Sequence, residues 1–366
     1  VLFITVDSGI TSEKEISILK EQGHKVIVTD HHQKPEELPP AEAIVWYDQV
    51  VGATLSWLLS KVLGAKSKQL MAYSCLATIT DLQPVTGFNR TIVRDGLRIM
   101  NNNPPVGLNA LVEVSGKRGE EITTYDLGWL IGPRLNASGR VEDASLSLKL
   151  LLEEDGEIAK EIAWSLNKIN SQRQDKTFEM YDIAATYKKE DLPEIIISHH
   201  ENYHEGIIGL VASRLVKKYY RPSIVVSTSE EVYKGSVRSI PGFNIIEFLR
   251  EMEELFLSLG GHPMAAGFSI DKDNFEEMVE KISELAPKRL EQKHFERILE
   301  IDMAIPAQII NMELLNSLEK LRPYGLGNGQ PIFASFGLGV SGANYVGREN
   351  QHLSLKLFDG DNFLRS

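Results

Sequence analysis

The sequence predicts an α/β fold in three parts: a parallel-sheet domain, a long helix joining it to a second α/β domain, and a partial OB-fold β-barrel. Three observations predict it. Two apolar runs rich in β-branched residues, 1–6 and 25–29, flank a helical pattern over 12–22; residues 157–187 contain neither proline nor glycine; and from about residue 297 short strand-like runs surround a glycine-rich stretch.

Branched side chains pack well on a pleated surface and are stiff in a helix, so Val26, Ile27, Val28 and Thr29 predict a short buried strand. The run 1–6 predicts a second, and Ile16 and Leu19 recur between them at helical spacing. A right-handed crossover makes the two strands parallel, with both carboxyl ends at one edge, where open α/β sheets bind ligands. That edge carries Asp7 from one strand and Asp30, His31 and His32 from the other. Asp7 alone reads as a turn residue or helix cap. Beside an Asp-His-His triplet on a strand ~4.8 Å away, it reads as part of a metal or proton-transfer site.

Further along, 35–40 is a loop, 43–45 a short strand, and 52–63 and 67–80 are helices. Pro84 disfavours helix in the residue before it, which places Asp81 at a helix end, as a surface loop residue or a third acidic ligand. Helices follow over 87–100 and 106–115. Residues 132–140 (GPRLNASGR) read as a loop presenting Arg134, Asn136 and Arg140, whose guanidinium forks suit phosphate. The helix over 157–187 would span about 45 Å, enough to join two domains.

A strand at 194–197 opens the second α/β unit, followed by His199, His200 and His204 and a helix over 206–219. No cysteine or acidic pattern completes a tetrahedral zinc site there, so these histidines read as polar contacts. Strands follow at 223–226 and 232–239. Alternate residues of a strand share a face, so Ser236 and Arg238 could hold one anion together. Gly260 and Gly261, before His262, allow close backbone approach to a ligand. Short strands at 298–301, 332–336, 339–343 and 353–358 suggest an OB-fold, a common carrier of single-stranded nucleic acid, with too few strands to close the barrel.

At 366 residues and 42% hydrophobic, the chain can bury a sizeable core and divide into two or three domains. No apolar run approaches a membrane span, and none is expected at a membrane. The single cysteine, Cys75, sits in an apolar helical pattern, excludes an intrachain disulfide, and fits a reducing, cytoplasmic setting. The net charge of −12 argues against a protein that coats itself in nucleic acid, although a local basic groove is compatible with it. No G-x-G-x-x-G joins the first strand to its helix, which disfavours a dinucleotide-dependent dehydrogenase.

Eight motifs in order resemble the DHH phosphoesterase family, and within it the exonucleases that degrade single-stranded DNA from 5′ to 3′. They are VDSG (6–9), TDHH (29–32), ATITDLQP (77–84), GPRLNASGR (132–140), HEGIIGLVASRL (204–215), GSVRS (235–239), GGHPMAAG (260–267) and LRPYGLGNGQPIF (321–333). The resemblance implies a catalytic domain at 1–156, a connecting helix at 157–188, a DHH-associated substrate-binding domain at 189–296 and a partial OB-fold at 297–366. It implies metal ligation by Asp7, His31 and Asp81, with Asp30 and His32 in close catalytic support. It also implies a 5′-phosphate site at Ser236 and Arg238, with Arg140 and His262 nearby and Arg134 and Asn136 as further substrate contacts.

The implied chemistry is a two-metal phosphodiester hydrolysis with Mn2+ or Mg2+, serving DNA repair and recombination. The implied partners are single-stranded DNA with a 5′ end and a single-strand-binding protein or helicase. Two alternatives stand beside it: a DHH phosphodiesterase acting on short oligoribonucleotides or cyclic dinucleotides, and a non-catalytic replication scaffold. The family places a further Asp-x-Asp strand upstream of Asp7. The chain is therefore expected to be a fragment, inactive or holding one ion weakly.

Overall fold

The computed structural model describes residues 1–141, 143–228, 231–347, 350–360 and 363–365. They form two compact units, one of 1–132, 154–156 and 299–366, the other of 133–153 and 157–298. This grouping cuts across the four segments expected from the sequence: the long helix belongs to the second unit and the C-terminal segment to the first.

In the first unit, β1 (Leu2–Val6), α1 (Glu13–Glu21), β2 (Lys25–Asp30) and β3 (Ala43–Trp46) build a three-stranded parallel sheet of order β1-β2-β3. Val26 and Val28 are fully buried and pack with Ile16, whereas β1 lies at the sheet edge and exposes Leu2, Phe3, Ile4 and Val6. Val6 pairs with Thr29, so Asp7 and Asp30 leave the sheet at the same edge. Helices α2 (Gly52–Val62), α3 (Leu70–Thr80), α4 (Gly87–Asn102) and α5 (Val106–Val114) follow, then a short turn α6 (Thr124–Asp126) that runs into one π-helical turn, Leu127–Ile131.

The second unit begins with α7 (Gly132–Val141), α8 (Ser145–Leu152) and α9 (Gly156–Ala184). The segment expected as a loop at 132–140 is therefore helix. Proline is tolerated in a first helical turn, and the small residues that suggested a loop are there to be buried: Ala137 and Ser138 are fully inaccessible. Ser147 Oγ donates to the Leu135 carbonyl and lies 2.9 Å from Ser138 Oγ. Next come β4 (Ile196–His200), α10 (Ile208–Tyr219), β5 (Ser223–Ser227), β6 (Val232–Arg238), α11 (Ile245–Arg250), β7 (Phe256–His262), β8 (Ala265–Asp271) and α12 (Lys272–Arg289). Their sheet has order β4-β5-β6-β8-β7, with only β4 and β5 parallel. The glycines at 260–261 lie within β7.

The C-terminal segment adds β9 (Met303–Ala304), α13 (Met312–Glu319), β10 (Phe333–Ala334), β11 (Gly339–Val346), β12 (His352–Phe358) and β13 (Phe363–Arg365). The last three form an antiparallel sheet, while β9 and β10 make a two-stranded parallel pair. The strand expected at 298–301 does not form; pairing begins at Met303.

Candidate metal centre and anion pocket

Asp30 ends β2 with only 1% of its surface exposed. Its Oδ2 accepts from the Ile10 N–H at 2.9 Å; its Oδ1 accepts from the N–H groups of His31 and His32 at 2.7 and 3.1 Å and meets His32 Nδ1 at 2.7 Å. Burial alone would raise its pKa, but these bonds outweigh burial and hold the carboxyl below the usual value. Asp30 is therefore an anchor behind the site. The same contact with Asp30 raises the pKa of His32, whose side chain is 59% exposed.

In front of that anchor, His31 Nε2 lies 3.0 Å from Asp7 Oδ1 and 3.6 Å from Asp81 Oδ2. Asp7 sits at φ +60°, a left-handed conformation that aspartate tolerates better than most residues, and its N–H donates to the Thr29 carbonyl. Gly52 allows this placement, because a Cβ there would lie 2.2 Å from Asp7 Oδ1. Asp81 caps the C-terminal end of α3. Its pKa is raised, chiefly by burial and further by Asp7, with His31 opposing.

Two carboxylates thus share one imidazole at a partly desolvated strand edge. Ligand atoms of Asp7, His31 and His32 all lie within 4.8 Å of one another, the one such grouping among the described residues. Oxygen and imidazole donors with excess negative charge fit a divalent cation.

Several supporting groups were not legible in the sequence. Gln83 Nε2 lies 3.4 Å from His31 Nδ1, and Trp46 Nε1 donates to the His32 carbonyl at 2.7 Å. The glycine-rich stretch between the C-terminal strands braces the turn after Asp81: Val85 N–H donates to the Leu326 carbonyl, and the Arg90 guanidinium to those of Arg322 and Pro323.

In the second unit, strand register puts Lys234, Ser236 and Arg238 of β6 opposite Ser269, Gly267 and Ala265 of β8, and these opposite Ser258, Gly260 and His262 of β7. Directly opposed residues share a face, so this face carries polar side chains, two glycines and the single methyl of Ala265. A cavity of about 510 Å³ lies over it, lined by Arg140, His204, Lys234, Ser236, Ser258 and Ser269 among others. Arg238 Nη1 donates to Ser236 Oγ at 3.2 Å, and the guanidinium packs where a Cβ on Gly209 of α10 would stand. Burial and then Arg140 lower the Arg238 pKa.

Arg140 Nη1 donates to the Gly206 carbonyl, and Arg134 Nε to Asn167 Oδ1 on α9. Asn136 is exposed on α7. His262 lies on the row of Arg238, two strands away; neither lines the cavity, which Arg238 borders through its contact with Ser236. His199, His200 and His204 stay apart from any metal grouping: His199 stacks edge-on against Phe275, and the other two accept from the N–H groups of Asn202 and Gly206. Helix α9, expected to be a spacer, contributes Arg173. Its pKa is lowered by burial and by Arg140, Arg214 and Arg134, and its buried Nε has no hydrogen-bond partner among the described residues.

Three domain models match the chain. The DHH family, N-terminal domain, matches residues 1–80; the DHHA1 domain matches 192–288; and the RecJ OB domain matches 301–366. These define the class: a DHH-type protein with its associated domain and an OB domain. The single-stranded-DNA-specific exonuclease RecJ of Haemophilus influenzae is 30% identical over 97% of this chain and 68% of its own length. That of Bacillus subtilis is 32% identical over 97% of this chain and 47% of its own. The crystal structure of Thermus thermophilus RecJ in complex with Mn2+ superposes with a TM-score of 0.87 at 31% identity, covering all of this chain and 55% of that one. The chain belongs to the RecJ family and spans about half to two thirds of the length of these relatives.

Proposed function

We propose that the chain carries the working parts of a cytoplasmic 5′-to-3′ exonuclease that hydrolyses single-stranded DNA in repair and recombination. The observation that supports this best is the Asp7–His31–Asp81 cluster, two carboxylates sharing one imidazole. Mn2+ or Mg2+ would be held by these three residues. A divalent ion supplies a more acidic water and neutralises charge on the phosphate.

The chain's own groups do the rest. Asp30 fixes His32 through Nδ1 and keeps the imidazolium to higher pH than a free histidine, so the exposed His32 ring can donate from Nε2 to a phosphate oxygen. Hydrolysis joins a water oxygen to phosphorus and breaks the P–O3′ bond; the 3′ oxygen leaves with a proton, and the next nucleotide becomes the new 5′-phosphorylated end. In the second unit, Ser236, Arg238, Arg140 and Arg134 would hold a terminal 5′ phosphate, with Asn136, Arg173 and His262 as outlying contacts. Recognition of that group makes polarity a property of the pocket. A single-strand-binding protein or helicase would present the strand.

Asp7, His31 and Asp81 are too few to fill the shells of two ions, so the chain alone is expected to hold one ion weakly and to hydrolyse DNA poorly; robust Mn2+-dependent hydrolysis would refute this. Binding tests the substrate class. A 5′-phosphorylated single strand should bind more tightly than its 5′-hydroxyl counterpart, a duplex or a dinucleotide. Preference for dinucleotides would point to the oligoribonucleotide or cyclic-dinucleotide enzymes, and binding of none would leave the scaffold.

A further inference from the structure

The Asp-His-His turn is tied to its neighbouring strand by a side chain that none of the motifs includes. Trp46 ends β3 directly opposite Asp30, and its indole N–H reaches across to the His32 carbonyl at 2.7 Å. On the ring of the same tryptophan rests the ammonium of Lys34, 3.8 Å from the centroid. Lys34 lies two residues beyond His32, is exposed, and has its cation over an aromatic face rather than on a carboxylate among the described residues. Glu36 and Glu37 follow it closely in the sequence, and neither forms an ion pair with it among the described residues.

A cation parked on an aromatic ring keeps its charge available. An exposed cation–π contact is weaker than a charge-assisted hydrogen bond to phosphate, so an arriving phosphate can draw the ammonium off without breaking an ion pair. Trp46 fixes both the carbonyl of His32 and the rest position of Lys34, and so holds one cation beside the acidic cluster. Lysine suits this place as a compact point charge on a flexible stem.

We infer that Lys34 contacts a backbone phosphate of the single strand next to the metal centre, and that Trp46 is the positioning residue that holds it there. This rests on the single-strand reading above.

The experiment is fluorescence anisotropy of a labelled, 5′-phosphorylated oligo(dT) with the chain in EDTA, titrated across KCl concentrations, with thermal unfolding as a check on each variant. K34Q should weaken binding roughly five- to tenfold at low salt and reduce the log–log salt slope by about 0.7, the loss of one phosphate contact on a single strand. K34R should restore the slope. W46F, which keeps a ring but removes the N–H, should keep the slope, and W46L should lower it. An unchanged affinity and slope in K34Q would overturn the inference while the substrate reading stands, provided R238Q weakens binding. Absence of binding by the unmodified chain would overturn both.

Discussion

The two functional regions of this molecule are built on opposite electrostatic plans. In the first unit, two aspartates crowd one imidazole, and a third, buried aspartate behind them is saturated by hydrogen bonds. In the second, a polar, glycine-floored sheet face meets arginines whose pKa values are lowered by burial and by one another. In the second region Lys234 is paired with Glu205 at 2.6 Å while the arginines crowd one another, and in the first two carboxylates face one imidazole, so each region keeps an excess of one sign at partly desolvated positions, which is costly unless a partner of the other sign arrives. The first suits a cation and the second an anion, and a net charge of −12 conceals both.

If the regions are independent in this sense, damage to one should leave the other's ligand untouched. The largest effect is expected at Asp30. Removing its carboxylate in D30A strands the N–H groups of Ile10, His31 and His32 and should cost about 3 kcal/mol of stability in the first unit. Cys75 reports on that unit: it is the chain's single cysteine, fully buried, with burial pushing its thiol up to about 12. Maleimide labelling of Cys75 should therefore reach completion at lower urea in D30A, with anion binding in the second unit preserved.

Next in size is R238Q. It should remove about 2 kcal/mol, or roughly 30-fold, from the preference for a 5′-phosphorylated over a 5′-hydroxyl strand in anisotropy titrations, and leave Cys75 labelling unchanged. Equal losses for both strands would break the assignment of the pocket to a terminal phosphate.

The smallest effect concerns acid. Asp126 is buried, which raises its pKa, but the Thr123 hydroxyl and N–H donate to it and Lys117 pairs with it at 3.3 Å, so its carboxyl ends below the usual value. A lowered pKa in the folded state gives stability that is complete above the unfolded value of about 4 and is lost as pH falls through the folded value. Urea unfolding followed by Cys75 should show D126N about 1 kcal/mol less stable at neutral pH, with the gap closing at acid pH.

The sequence made some of this plain for physical reasons. Runs of β-branched residues and a crossover rule place Asp7 and Asp30 at one edge, and the two-residue period of a strand puts Ser236 and Arg238 on one face. Other parts depend on contacts that local pattern does not encode. Residues 132–140 look like a loop because their small side chains serve close packing in α7. Arg173 is hidden among the polar positions of a long helix, and Trp46 and Lys34 acquire a role only once the β2–β3 register is known. The turn carrying Asp81 is braced by residues more than two hundred positions away.

The central claim, that the first unit is a cation site left short of positive charge, is tested most directly by Mn2+ titration of the chain, read as loss of the free-ion electron paramagnetic resonance signal. Saturable binding of one ion is expected, weakened about 100-fold or more in D81N and in H31A, and unaffected in R238Q. Binding that survives both substitutions in the cluster, or no binding by the unmodified chain, would contradict the account.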